Sequence, residues 1–176
     1  MTAKGPAPEF SRMIDLRQIS DAPLVLTASP EECRALAARF DLVSVDRLES
    51  TVSLVPERAV VTVTGRLNAA WVQPCAISGE DLALAVSEPL SFRFIPAAAT
   101  HTPVEEVELS DEACDEIEYD GTAFDVGEAV AQSLGLAIDP FACGPDAEAA
   151  RKAAGILDES ASGPFAALEG LKVKKD

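Results

Sequence analysis

The chain has 176 residues, 48% of them hydrophobic, with 30 acidic against 14 basic side chains and a formal net charge of -16 at pH 7. That length and apolar content suit one domain of ordinary size with a real core. No apolar run approaches membrane-spanning length and no apolar signal region follows Lys4, so a helical membrane protein is excluded and a cytosolic location is expected. The charge is lopsided: from Phe94 through Ala150 there is no lysine or arginine but there are fourteen Asp and Glu. Such a stretch repels nucleic-acid phosphates and attracts basic partners.

Residues 1–11 are rich in proline and alanine without periodicity and read as a loose arm. A single domain is expected over 12–157, followed over 158–176 by a linker and a C-terminal docking segment. Met13-Ile14-Asp15-Leu16 suits a short strand or an extended entry, and Pro23-Leu24-Val25-Leu26-Thr27 reads as a strand. Ser29-Pro30-Glu31-Glu32 combines a capping serine, a proline at the first helical position and a glutamate at the third. Cys33, Leu36, Ala37 and Phe40 then share one face, which predicts a helix over 30–40. Between Leu42 and Val55 the period changes to two, with Leu48, Ser50, Val52 and Leu54 on one side, until Pro56-Glu57 turns the chain. The β-branched stretch 58–73 reads as a long strand in which Gly65 marks a bulge or bend. Leu90-Ser91-Phe92-Arg93-Phe94-Ile95 alternates again. Strands joined by short links imply antiparallel pairing.

Residues 105–120 are acidic but keep Val107, Leu109, Ile117 and Tyr119 at alternating places, as in a solvated loop flanked by strand ends. Asp125 followed by Glu128 has the spacing of a capping box, and Val126, Val130 and Leu134 form one stripe, so a helix is predicted over 126–137, ending ahead of Asp139-Pro140. Gly127 and Gly135 inside it each cost about 1 kcal/mol relative to alanine, a deficit that packing against a sheet must offset. Pro145-Asp146 opens a further helix to 157. Together these elements predict an α+β fold: an antiparallel sheet, open or curled, packed with about three helices.

Three stretches resemble one family. Phe124-Asp125-Val126-Gly127-Glu128 through Leu134 to Asp139-Pro140-Phe141 is similar to the late motif of the YceD family, the large ribosomal RNA subunit accumulation proteins, with its Asp-Leu-Gly-Glu start and Asp-Pro-Tyr end. Gly65-Arg66-Leu67 running into Gln73-Pro74-Cys75 resembles the family's Gly-x-Leu strand and cysteine-containing turn. Pro164-Phe165-Ala166-Ala167-Leu168-Glu169-Gly170-Leu171-Lys172 resembles its terminal Pro-Phe-x-x-Leu-x-x-Leu-Lys. The resemblance spans roughly residues 12–172. It implies a non-enzymatic, bacterial, cytoplasmic factor supporting ribosome biogenesis, through accumulation or processing of 23S rRNA and assembly of the large ribosomal subunit. Two departures matter. Many relatives carry a second cysteine three residues after the first, where this chain has Ser78, so a metal site on such a pair is not supported. The basic residues that often follow the family's Asp-Pro-Tyr are replaced, after Phe141, by Ala142-Cys143, which counts against direct RNA contact.

The residues themselves weigh several chemistries. His101 is the single histidine and lies in a loop without a Gly-x-Ser-x-Gly motif, so a surface loop residue is the better reading than a triad member. Cys33, Cys75, Cys114 and Cys143 are dispersed thiols with no Cys-x-x-Cys pair. Cys75 has no cation nearby in sequence to activate it and reads as a structural thiol in a turn. Phe92 and Phe94 fall on one side of a strand, as core or as a base-stacking face, and the core reading is favoured. Lys172, Lys174 and Lys175 suit a solvated tail or a weak, salt-sensitive RNA contact equally. No cofactor is expected.

The surface expected to bind a partner is the acidic set Glu105, Glu106, Glu108, Asp111, Glu112, Asp115, Glu116, Glu118 and Asp120, and the partner expected is a basic ribosomal or rRNA-processing protein, with any rRNA contact indirect or weak. Two rival readings use the same stretch. One is a metal-dependent hydrolase built from Asp111, Asp115, Glu116 and Asp120. The other is an acidic binding module for an unrelated basic protein.

Overall fold

The structure is a computed structural model that describes residues 9–97 and 115–155. The elements in chain order are β1 (Met13–Asp15), β2 (Leu24–Thr27), α1 (Pro30–Arg39), β3 (Ser44–Glu57), β4 (Val60–Pro74), β5 (Asp81–Pro96), β6 (Asp115–Tyr119), β7 (Ala123–Asp125), α2 (Val126–Ala137) and α3 (Ala147–Ala153). The fold is α+β. A five-stranded sheet runs β2-β3-β4-β5-β6, and β1 pairs with β7 in a second, two-stranded sheet. The chain divides into two compact units, one of residues up to Gln73 together with Ala83–Asp139, the other of Pro74–Leu82 with the chain from Pro140 onward.

The first unit holds the core. On β3, Leu48, Val52 and Leu54 are buried and alternate with exposed Thr51, Ser53 and Val55. β4 repeats the pattern with Val61, Val63, Leu67, Ala69 and Trp71. A two-residue turn, Arg58-Ala59, joins the two strands, with Arg58 at φ 60°. Phe92 and Phe94 stand on the buried face of β5, edge to face at 5.6 Å, and Phe94 packs on Phe124 at 4.4 Å. They are core residues, and no aromatic platform faces solvent there.

Several expectations are corrected. The bulge falls between Val45 and Arg47, whereas Gly65 keeps register opposite Val52. Its lack of a side chain serves close approach, since a Cβ there would lie 2.2 Å from the Thr51 carbonyl oxygen. β5 begins at Asp81, nine residues before the alternation at Leu90. Its first half alternates half-buried Leu82, Leu84 and Val86 with exposed Ala83 and Ala85. Alanine gives little polarity contrast and Pro89 lacks a ladder donor, which hid the strand. β6 pairs with β5 in parallel, Phe92 opposite Asp115 and Pro96 opposite Tyr119. More than a dozen residues separate the two strands, enough for the chain to re-enter in the same direction.

Residues 9–11, expected within a loose arm, are anchored to the fold by Phe10, a core residue. Phe10 is completely buried. Its carbonyl oxygen lies 2.6 Å from where a Cβ on Gly127 would be, so the glycine in α2 is the room into which this segment fits. Gly135 plays a similar part under the Phe40 ring, where a Cβ would sit 2.7 Å from the nearest ring carbon. The helical deficit of these two glycines is thus offset by tertiary contact. The segments 98–114 and 156–176, with His101, Cys114, the C-terminal docking motif and the three lysines, lie outside the described residues.

Candidate functional site

The carboxylates fall into two sets. The first surrounds the N-termini of α1 and α2. Ser29 caps α1, its Oγ accepting from the Glu32 N–H at 3.2 Å while Glu32 Oε2 accepts from the Ser29 N–H at 2.8 Å. Glu32 also receives both guanidinium nitrogens of Arg12, at 2.6 and 2.9 Å. Chiefly through Arg12, its carboxyl is pulled down to about 2. At α2, Asp125 Oδ1 accepts from the Glu128 N–H at 3.1 Å and from the Arg12 N–H at 2.7 Å, and Oδ2 accepts from Ser11 Oγ at 2.5 Å.

The capping box expected at α2 is therefore half formed. Glu128 turns away to Arg39, which donates from both terminal nitrogens at 2.8 and 2.9 Å and also reaches Glu9 at 2.9 Å. The paired guanidinium holds the Glu128 carboxyl below its ordinary range. Phe10 receives the Arg12 guanidinium over its ring at 4.4 Å. Asp125, Gly127 and Glu128 of the family-like motif thus form one structural junction that fixes the 9–12 segment between two helices. Arg12 and Arg39, which organise it, carry no local sequence signal. Their partners are remote in the chain.

The second set lies on and just after β6, among the described residues an edge strand of the large sheet. Ile117 and Tyr119 turn inward, and the Tyr119 hydroxyl donates to the Ala59 carbonyl at 2.5 Å. Glu116, Glu118 and Asp120 are exposed. Glu116 is held by Arg93 of β5. Neither Glu118 nor Asp120 has a cationic partner among the described residues. Asp115 contributes the first backbone position of the strand. Glu105, Glu106, Glu108, Asp111 and Glu112 fall outside the described residues. The acidic lure is therefore narrower than the charge count implied, because Glu116, Asp125 and Glu128 are already engaged in the fold.

The remaining motif residues are dispersed. Leu67 and Leu134 are core side chains. Asp139 and Pro140 are exposed, and the Asp139 carbonyl accepts from Gln73 Nε2 at 2.7 Å, while Gln73 Oε1 accepts from Trp71 Nε1 at 2.7 Å.

Cys75 lies in a turn, as expected, but its thiol is not ordinary. The sulfur accepts from the N–H groups of Gly144 and Ser78, each at 3.3 Å. These donors, Gly144 foremost, bring the thiol down to about 6. The absence of a neighbouring cation was no guide, since backbone amides do the work that a cation would.

A groove of about 550 Å³ between α1 and the start of β3 is lined by Cys33, Ala37, Leu42 and Val45, with Arg34 and Asp46 among its polar groups. Burial pushes the Cys33 thiol up, away from reactivity. No group of three or more metal-ligating side chains occurs among the described residues, and no helix among them is long and apolar enough to cross a membrane. No family model, curated protein or solved structure matches the chain.

Proposed function

We propose that this protein is a non-enzymatic, cytoplasmic factor of ribosome biogenesis that supports 23S rRNA accumulation or processing and large-subunit assembly by binding a basic protein. The ribosomal part of this reading rests on the three YceD-like motifs. The mode of action rests on one observation: among the described residues β6 is a sheet edge, and Glu118 on it and Asp120 just after it are exposed and unpaired with any cation. An edge strand offers backbone donors and acceptors to an extended segment, and fixed carboxylates select cationic side chains on that segment. RNA phosphates would meet the same field as repulsion, so the rRNA effect runs through protein.

The hydrolase alternative finds less support. Glu116, one of its four carboxylates, is engaged by Arg93, which ties it to the strand. The deciding experiment is a pull-down from bacterial lysate with and without nuclease. Retention of basic large-subunit proteins after nuclease supports the proposal. Recovery of rRNA by the purified chain from naked RNA, with no protein retained after nuclease, rejects it.

A further inference from the structure

We propose that Cys75 and Cys143 form a reversible disulfide, with a low-molecular-weight disulfide as the oxidant, clasping the turn after β4 to the segment that links α2 to α3. Both cysteines belong to the second compact unit. The two stretches are already stitched together: the Ala76 N–H donates to the Ala142 carbonyl at 3.0 Å, and the Gly144 N–H donates to Cys75 Sγ at 3.3 Å. Gly144 directly follows Cys143. One hydrogen bond and one peptide unit therefore separate the Cys75 sulfur from the Cys143 Cα, which places them within about 6 Å. The Ala76 to Ala142 bond joins the residue after Cys75 to the residue before Cys143, the pattern that flanks a non-hydrogen-bonded antiparallel pair, whose Cα atoms stand about 4.5 Å apart, inside the roughly 4.4–6.8 Å that a disulfide needs. Cys143 is exposed, its thiol donating locally to the Phe141 carbonyl at 3.2 Å.

The two thiols divide the labour. Cys75 is only 3% exposed, so a bulky oxidant meets Cys143 first. The Cys143 thiolate attacks one sulfur of the oxidant, forming a mixed disulfide and releasing one small thiolate. Cys75 Sγ then attacks the Cys143 sulfur, forming the protein disulfide and releasing the second. Two protein thiols are oxidised and one small disulfide is reduced to two thiols, so the electrons balance. The backbone N–H groups that lower the Cys75 thiol keep it as thiolate near neutral pH, ready for the second step. Cys33 sits buried on α1 with its thiol pushed up and serves as an internal control.

The test uses the full chain in buffers of glutathione disulfide and glutathione, followed by acid quenching, alkylation of remaining thiols and peptide mapping by mass spectrometry. The wild-type chain is expected to yield a linked Cys75–Cys143 peptide that excess glutathione reverses. Cys75→Ser is expected to stop at glutathionylated Cys143, raising that species about tenfold over wild type, because the resolving step is lost. Cys143→Ser is expected to leave Cys75 reduced. Wild-type protein that accumulates the mixed disulfide as Cys75→Ser does, that pairs either cysteine with Cys33 or Cys114 instead, or that stays reduced throughout, would overturn the proposal. The wild-type mapping decides the matter even if a variant folds poorly.

Discussion

Glu32 and Glu128 at the helix junction, and Glu118 and Asp120 on the sheet edge, are the same chemistry put to opposite use. The first pair is anchored by bidentate guanidinium contacts from Arg12 and Arg39 and is only about a quarter exposed, 23% and 22%. The second pair stands in solvent with no cation among the described residues. Net charge cannot tell these apart. What separates them is whether an arginine from a distant stretch has folded onto the carboxylate, so the effective field of an acidic protein is set by topology as much as by composition.

The sharpest way to break the junction is to remove its apolar anchor. Phe10→Ala is expected to destabilise the chain by about 3–5 kcal/mol, since a fully buried ring leaves a cavity that the surroundings only partly refill. Urea denaturation measures it; a loss below about 1 kcal/mol would mean that residues 9–12 are not part of the cooperative unit. Gly127→Ala comes next, and its sign is the informative part. Helix propensity alone favours alanine by about 1 kcal/mol. The new Cβ would lie 2.6 Å from the Phe10 carbonyl oxygen and 2.7 Å from the Arg12 nitrogen, so a net loss of about 1–3 kcal/mol is expected.

Arg39→Met tests the charged half of the same junction. It strands Glu128 and Glu9 in a partly screened setting, and a loss of about 1–2 kcal/mol is expected, shrinking with added salt. An unchanged denaturation midpoint would show the ion pairs to be ornamental. Glu32 provides the pH counterpart. Its folded pKa is depressed from the ordinary 4.5 to about 2, so its contribution is fully present above about pH 4.5 and is lost as pH falls toward 2. The stability gap between wild type and Glu32→Gln should therefore close across that window, and a gap constant between pH 5 and 2 would contradict the assignment.

How much of this was legible in sequence depends on whether a feature is local. The bounds of α2 followed from its cap, its stripe and the proline beyond it, and α1 from Ser29-Pro30-Glu31-Glu32, because those signals lie within one or two helical turns. The docking of Phe10 was not legible, since its recess is made by a glycine more than a hundred residues away. Nor was the parallel entry of β6, which depends on a long connection, or the state of Cys75, which is set by main-chain amides that every residue but proline possesses. Within the acidic stretch, sequence could not remove Glu116 from the candidate surface, because Arg93 reaches it across paired strands.

The smallest expected effect on stability is also the one that bears most directly on function. Replacing both Glu118 and Asp120 by lysine touches exposed side chains outside the core, so the denaturation midpoint should move by no more than about 0.5 kcal/mol. Binding should respond quite differently. With total protein extracted from large ribosomal subunits as the probe, the double variant should retain the basic components several-fold less well at low salt, and the difference from wild type should fade as the Debye length drops below about 8 Å. Equal retention by both proteins would remove β6 as the contact surface, while the junction variant Glu32→Gln, at temperatures where it remains folded, should bind as wild type does. A carboxylate that already has its arginine inside the fold has little field left for a second, external one.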